Sequence, residues 1–192
     1  SANDVTLNDS GAIDFGSSMI SGNLAVTANG AITDSGALNV TGTTSLSAGS
    51  ANDITLDAAN DFGGAVSITT GRDVTLNDTG AIDVGASTIS GNLSVTAAGG
   101  ITDSAAINVS GTTTLIAGSA NDIQLDAAND FGGPVSIVAA DDVTLNGINA
   151  IDLGGSTISG NLAATANGAI TDSGALNVTG TTSLAAGSAN DI

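Results

Sequence analysis

The 192-residue sequence contains no Cys, His, Trp, Tyr, Lys or Glu, and only one Arg (Arg72), one Pro and one Met. Each absence removes a class of function. Without His or Lys, no Ser or Thr can be activated as a nucleophile, and without Cys there is no disulfide and no thiol chemistry. All 19 acids are Asp, so the formal net charge is −18 against a single cation. Phosphates and anionic lipid headgroups are bound by Lys and Arg that replace counterions, so nucleic-acid and membrane-surface partners are excluded. No apolar run approaches the roughly 18–20 residues that span a bilayer. The opening Ser-Ala-Asn-Asp-Val lacks the basic and apolar segments of a signal peptide. Charge of one sign marks disorder only when hydrophobicity is low. Apolar residues make up 41% of this chain, so it is expected to fold.

What is present is repetition. Asp-Val-Thr-Leu-Asn begins at Asp4, Asp73 and Asp142, and Ile-Ser-Gly-Asn-Leu begins at Ile20, Ile89 and Ile158. Gly-Ser-Ala-Asn-Asp-Ile begins at Gly49, Gly118 and Gly187, so all three blocks recur with one 69-residue period. Between Asp4–Ile54 and Asp142–Ile192, 43 of 51 positions are identical without a gap. A tandem array of this kind is one continuous unit, here residues 1–192. It divides into a partial repeat 1–22, full repeats 23–91 and 92–160, and a partial repeat 161–192.

A shorter period lies inside each repeat. Segments 23–42, 43–64 and 65–91 have lengths of 20, 22 and 27 residues. Each opens with alternating apolar and small polar residues, passes a glycine turn, and continues into further alternating stretches. Period-two alternation punctuated by glycine predicts short strands with tight corners. Helical spacing of long apolar residues is missing. The prediction is an all-β fold, a parallel β-helix (β-solenoid), with about eight coils of 20–27 residues and three coils per repeat. Stacked on that basis, inward columns are aliphatic, one running Val5, Ile32, Ile54, Val74, Ile101, Ile123, Val143, Ile170, Ile192. The neighbouring outward row is almost pure Thr, which fits the β-propensity of an exposed strand.

A second outward row runs Asp14, Asn39, Asp61, Asp83, Asn108, Asp130, Asp152, Asn177. The three-coil stacking predicts that Asp61 neighbours Asp83 and that Asp130 neighbours Asp152. A second set pairs Asp53 with Asp73 and Asp122 with Asp142. Adjacent carboxylates can recruit a hard cation, so Ca²⁺ is the one candidate ligand of Asp61, Asp83, Asp130 and Asp152. The competing reading is a solvated acidic face, with no metal and no other cofactor. Neither an EF-hand loop nor the glycine-rich nonapeptide of Ca²⁺-binding β-rolls occurs. Paired carboxylates also cleave glycosidic bonds, but these recur in every repeat and no aromatic or cationic group is present to hold a sugar. The expectation is a non-enzyme with no catalytic residue. Arg72 reads as a turn residue beside Asp73, in a place where the next repeat has Ala-Ala-Asp.

The blocks "TTSLSAGSANDITLDAANDFGGAVSITTGRDVTLNDTGAID" and "ISGNLSVTAAGGITDS" resemble the repetitive passenger regions of large bacterial adhesins of the filamentous-haemagglutinin and autotransporter kind. That resemblance covers the whole chain. It implies a right-handed parallel β-helix, export from a Gram-negative cell, and an extracellular or cell-surface stalk that projects a region binding a host or surface receptor. The right hand also accords with the handedness rule for parallel crossovers. Both ends fall mid-repeat, without the polar caps of a free solenoid. The expected partners are therefore neighbouring repeats or end-to-end copies of the chain. The alternative reading is a self-assembling subunit of an extracellular fibre or sheath.

Overall fold

In the strands beginning at Val5, Val74 and Val143, Val and Leu alternate with Thr and Asn, so one face of each strand is aliphatic and the other polar. Inside the stack the aliphatic face disappears from solvent: Val74 is 1% exposed and Leu76 0%. The computed structural model describes residues 3–188 and 191–192. Ser1, Ala2, Ala189 and Asn190, which belong to the partial repeats 1–22 and 161–192, lie outside the described residues. Among the described residues there are 25 strands of three to nine residues and no helix. Every strand pairing is parallel, each strand bonding to one a coil away. The protein is a β-solenoid, as the alternation predicts.

Two main sheets, of 12 and 11 strands, form opposite faces, and short third strands close the coil at its edges. The path of the 12-stranded face stacks ten strands, which makes nine coil-to-coil steps. Register sets the coil length directly. Val5 lies opposite Leu24, Leu24 opposite Thr44, Thr44 opposite Val66, and Val66 opposite Val84. The ladder continues through Ile82–Ile101, Ile101–Ile123 and Ile123–Val143. Seven steps therefore carry the chain from Val5 to Val143, which is two repeats, so each repeat makes three and a half turns. Turn length varies with the corners included: the step from Val66 to Val84 is the shortest of the seven, and those from Thr44 to Val66 and from Ile101 to Ile123 are the longest.

This corrects the expectation of three coils per repeat, in which segment 65–91 formed one long coil. That segment holds four strands, Val66–Thr70, Val74–Asp78, Ile82–Val84 and Ser87–Ile89, and is one and a half turns. The predicted columns are right for three coils at a time and then change face. Ile32, Ile54 and Val74 stack in the 11-stranded face. Ile101, Ile123 and Val143 stack in the 12-stranded one. The column does not break the core, because inward positions of both faces are aliphatic and pack in one cluster.

Glycine makes the corners possible. At one corner, Gly22, Gly42 and Gly64 stack with backbones in contact, and the Gly42 N–H donates to the Gly22 carbonyl at 2.9 Å. A Cβ on Gly42 would stand 2.5 Å from that carbonyl oxygen, and one on Gly64 would stand 2.7 Å from the Gly42 oxygen. Gly49 and Gly118 serve a different need, since φ near +80° at both favours a residue without Cβ.

Candidate functional site

The acids gather at corners, where they bind backbone rather than each other. The first arrangement is a ladder. Asp4 Oδ1 accepts the Asn23 N–H at 2.8 Å, and Asn23 Oδ1 in turn accepts the N–H and hydroxyl of Thr43, both at 2.9 Å. The same rungs recur as Asp73–Asn92–Thr112 and Asp142–Asn161–Thr181. The two later ladders reach one coil lower, because the Asp73 N–H donates to Asp53 at 3.3 Å and the Asp142 N–H to Asp122 at 3.1 Å. These are the Asp53/Asp73 and Asp122/Asp142 neighbours expected from the sequence. Each rung gives a corner N–H an acceptor, which strand pairing alone does not supply at the corners.

Arg72 closes one of these junctions. Its guanidinium donates to both carboxylate oxygens of Asp53, at 2.7 and 2.6 Å, and lies 3.5 Å from Asp73. The bidentate hydrogen bond holds Asp53 below the ordinary carboxylate range. One repeat later the equivalent residue is Asp141, so that corner carries Asp122, Asp141 and Asp142 with no cation. The backbone rung at Asp142 forms all the same, so the repeat does not depend on Arg72.

The second arrangement is a clamp on a bulge, and it escaped the sequence reading. The nine-residue strand Ile54–Phe62 turns a corner, and its pairing with the next coil jumps from Leu56–Leu76 to Asn60–Asp78. From below, Asp34 accepts the N–H groups of Asp57 and Ala58 and the amide of Asn60, the last at 2.7 Å. From above, Asn77 donates to the Ala58 carbonyl at 2.8 Å. Asn60 is fully buried, and its Oδ1 accepts the Leu38 N–H at 2.8 Å. Asp103, Asn129 and Asn146 repeat the clamp around Ile123–Phe131. Burial pushes the Asp103 carboxyl above its ordinary range. The signal was available: Asn60 and Asn129 are polar residues at inward positions of otherwise apolar strands.

Asp78 completes the upper side. It is 2% exposed and accepts the Phe62 N–H at 2.9 Å and the Gly80 N–H at 2.6 Å. Burial raises its pKa, and nearby Asp61 raises it further. In the third repeat Gly147 stands here, and the Ile151 side chain occupies the space a Cβ would need.

The four candidate Ca²⁺ ligands are not brought together as expected. Asp61 lies opposite Asn39, whose amide donates to it at 3.0 Å, and Asp130 lies opposite Asn108. Asp83 faces Thr102 and Asp152 faces Thr171. The coil step here is short: Val84 lies opposite Val66 and Leu153 opposite Val135, which sets Asp83 over Ala65 and Asp152 over Pro134, further along the coil than Asp61 and Asp130. Among the described residues, no group of three or more His, Cys, Asp or Glu is placed to hold a metal ion. One oxygen of Asp83 and one of Asp152 are enclosed without a hydrogen-bond partner.

Stacked parallel coils, glycine corners and recurring Asp–Asn ladders define a β-solenoid repeat protein whose polar side chains serve the backbone. The chain belongs to a family described as repeats of unknown function (DUF5649), whose model matches residues 2–69, 71–138 and 140–192. No curated protein and no solved structure matches it.

Proposed function

We propose that the chain is a structural stalk segment of a long extracellular bacterial repeat protein, adhesive in service and mechanical in action. The observation that carries this reading is the unbroken stack: each coil bonds to the next by strand ladders, and its corners by Asp and Asn rungs. In such a stack, stability is a sum of nearest-neighbour interfaces, so length grows by repetition. Among the described residues the recurring Asp and Asn rungs end on backbone N–H and C=O groups, and the sequence has no His, Lys or Cys to set beside them for chemistry. The role is proposed without a cofactor. The acidic coat keeps a long polymer soluble, and its location at the bacterial surface rests on resemblance to adhesin passenger repeats.

Antibody raised to the folded repeat should label intact cells of the source organism without permeabilisation. Labelling only after lysis would refute the extracellular role. The alternative reading is a subunit that stacks end to end into an extracellular fibre, through the same parallel ladders that join coil to coil within the chain. Electron microscopy of the purified chain separates the two, since filaments support the fibre and single short rods support the stalk.

A further inference from the structure

Nearly identical sequence changes sides from one repeat to the next. Val5–Asp9 stands in the 12-stranded face, Val74–Asp78 in the 11-stranded face, and Val143–Gly147 in the 12-stranded face again. The short edge strands alternate with them. Ser18–Ile20 and Ser156–Ile158 each follow a strand of the 11-stranded face, whereas Ser87–Ile89 follows a strand of the 12-stranded face.

We infer that the 69-residue repeat is a half-turn device. Each repeat advances the rod by three and a half coils, about 17 Å at roughly 4.8 Å per coil, and turns everything beyond it to the opposite side. Every surface group of the repeat is thereby shown on both sides of one rod. Even and odd numbers of repeats aim whatever follows in opposite directions.

The half-turn is locked by side chains. Ser87 is 3% exposed and sits where the chain changes edge. Its hydroxyl oxygen accepts the Ile68 N–H at 3.1 Å while donating to the Gly85 carbonyl at 2.9 Å. Ser156 does the same with Ile137 and Gly154 in the next repeat. Two residues on, Gly71 bridges to Ile89, and Ala140 to Ile158. The Ser90 hydroxyl reaches two coils back to the Ser50 carbonyl at 2.8 Å, as Ser159 reaches Ser119. A whole-turn repeat would leave the Ile68 and Ile137 N–H groups without these acceptors.

The chain has no cysteine, so spin labels can be placed freely. Met19, Thr88 and Thr157 are the exposed middle residues of the three edge strands. Full-length chains carrying Met19→Cys with Thr88→Cys, Thr88→Cys with Thr157→Cys, and Met19→Cys with Thr157→Cys are labelled and measured by pulsed electron paramagnetic resonance. The 19/157 pair should run along one edge at about 34 Å, seven coils. The 19/88 and 88/157 distances should match each other and clearly exceed half of that value, because both cross the rod. A 19/88 distance equal to half the 19/157 distance would place all three on one edge and overturn the inference. Labels at Thr27, Thr96 and Thr165, on the main faces, repeat the test should an edge strand be disturbed. Failure here leaves the stalk reading standing, since that reading needs only a continuous stack.

Discussion

Thr44 and Thr113 occupy core positions at 1% and 0% exposure, and the hydroxyl oxygen of each is enclosed without a partner. A buried hydroxyl that makes no hydrogen bond costs its desolvation and returns little. Thr44→Val and Thr113→Val are therefore expected to raise the unfolding free energy by about 1 kcal/mol each, read by urea denaturation. A loss of similar size would mean that the hydroxyls are engaged. Asp78 is the converse case, a buried carboxylate with both oxygens occupied by backbone N–H groups. Asp78→Asn turns one acceptor into a donor facing an N–H, and should cost about 1–3 kcal/mol at neutral pH. The raised pKa values of Asp78 and Asp103 mean that the folded chain holds those protons more tightly than the unfolded chain, whose Asp groups titrate near 3.8. Their contribution favours folding at low pH and is lost as pH rises from 3.8 through the raised folded values. Asp53, held low by Arg72, acts in the opposite sense, its contribution fading as pH falls below 3.8. With two raised groups, Asp78 buried and Asp103 half-buried, against one exposed lowered group, the thermal midpoint should rise as pH is lowered from neutral toward 3.8, and Asp78→Asn should flatten that rise.

Single coils were legible in the sequence and the joint between repeats was not. The triplet Ile32–Ile54–Val74 stacks as the alternation predicts, because period two fixes which side chains face inward. Segment 65–91 defeated the same reasoning, since its fourth strand, Ser87–Ile89, has the same composition as a strand of the next coil. Composition says that a residue faces inward without saying toward which face. The error propagated to the site: Asp61 and Asp83 share a phase in the sequence but not a neighbourhood in space, whereas Asp53 and Asp73, within one stretch of correct register, do meet. Corner glycines carry the sharpest test at this scale. A Cβ at Gly111 would meet the Gly91 carbonyl oxygen at 2.6 Å and the Asn92 amide oxygen at 2.5 Å. Backbone lines one side of that contact and cannot swing away, so Gly111→Ala should destabilise by about 1–3 kcal/mol. Gly118→Ala, where only φ of +79° is at issue, should cost about 1 kcal/mol. A chain indifferent to Gly111→Ala in thermal melts would show that the corner is looser than drawn.

At the scale of the molecule, the absences with which the sequence opens acquire a place. Nineteen Asp and one Arg look like a bare excess of charge, yet many of the carboxylates are acceptors for corner N–H groups that the strands leave over. The aliphatic content belongs to one core column that passes between two faces without interruption. A rod of this design has a length set by repeat number alone, and that is its most exposed consequence. Solution X-ray scattering on a series of chains with increasing repeat number measures it directly. Each added 69-residue repeat should lengthen the particle by about 17 Å at constant cross-section, three and a half coils of roughly 4.8 Å. An increment of about 14 Å, three coils at the same spacing, would restore three coils per repeat. A length that grows more slowly than repeat number while the cross-section swells would contradict the stacked rod altogether.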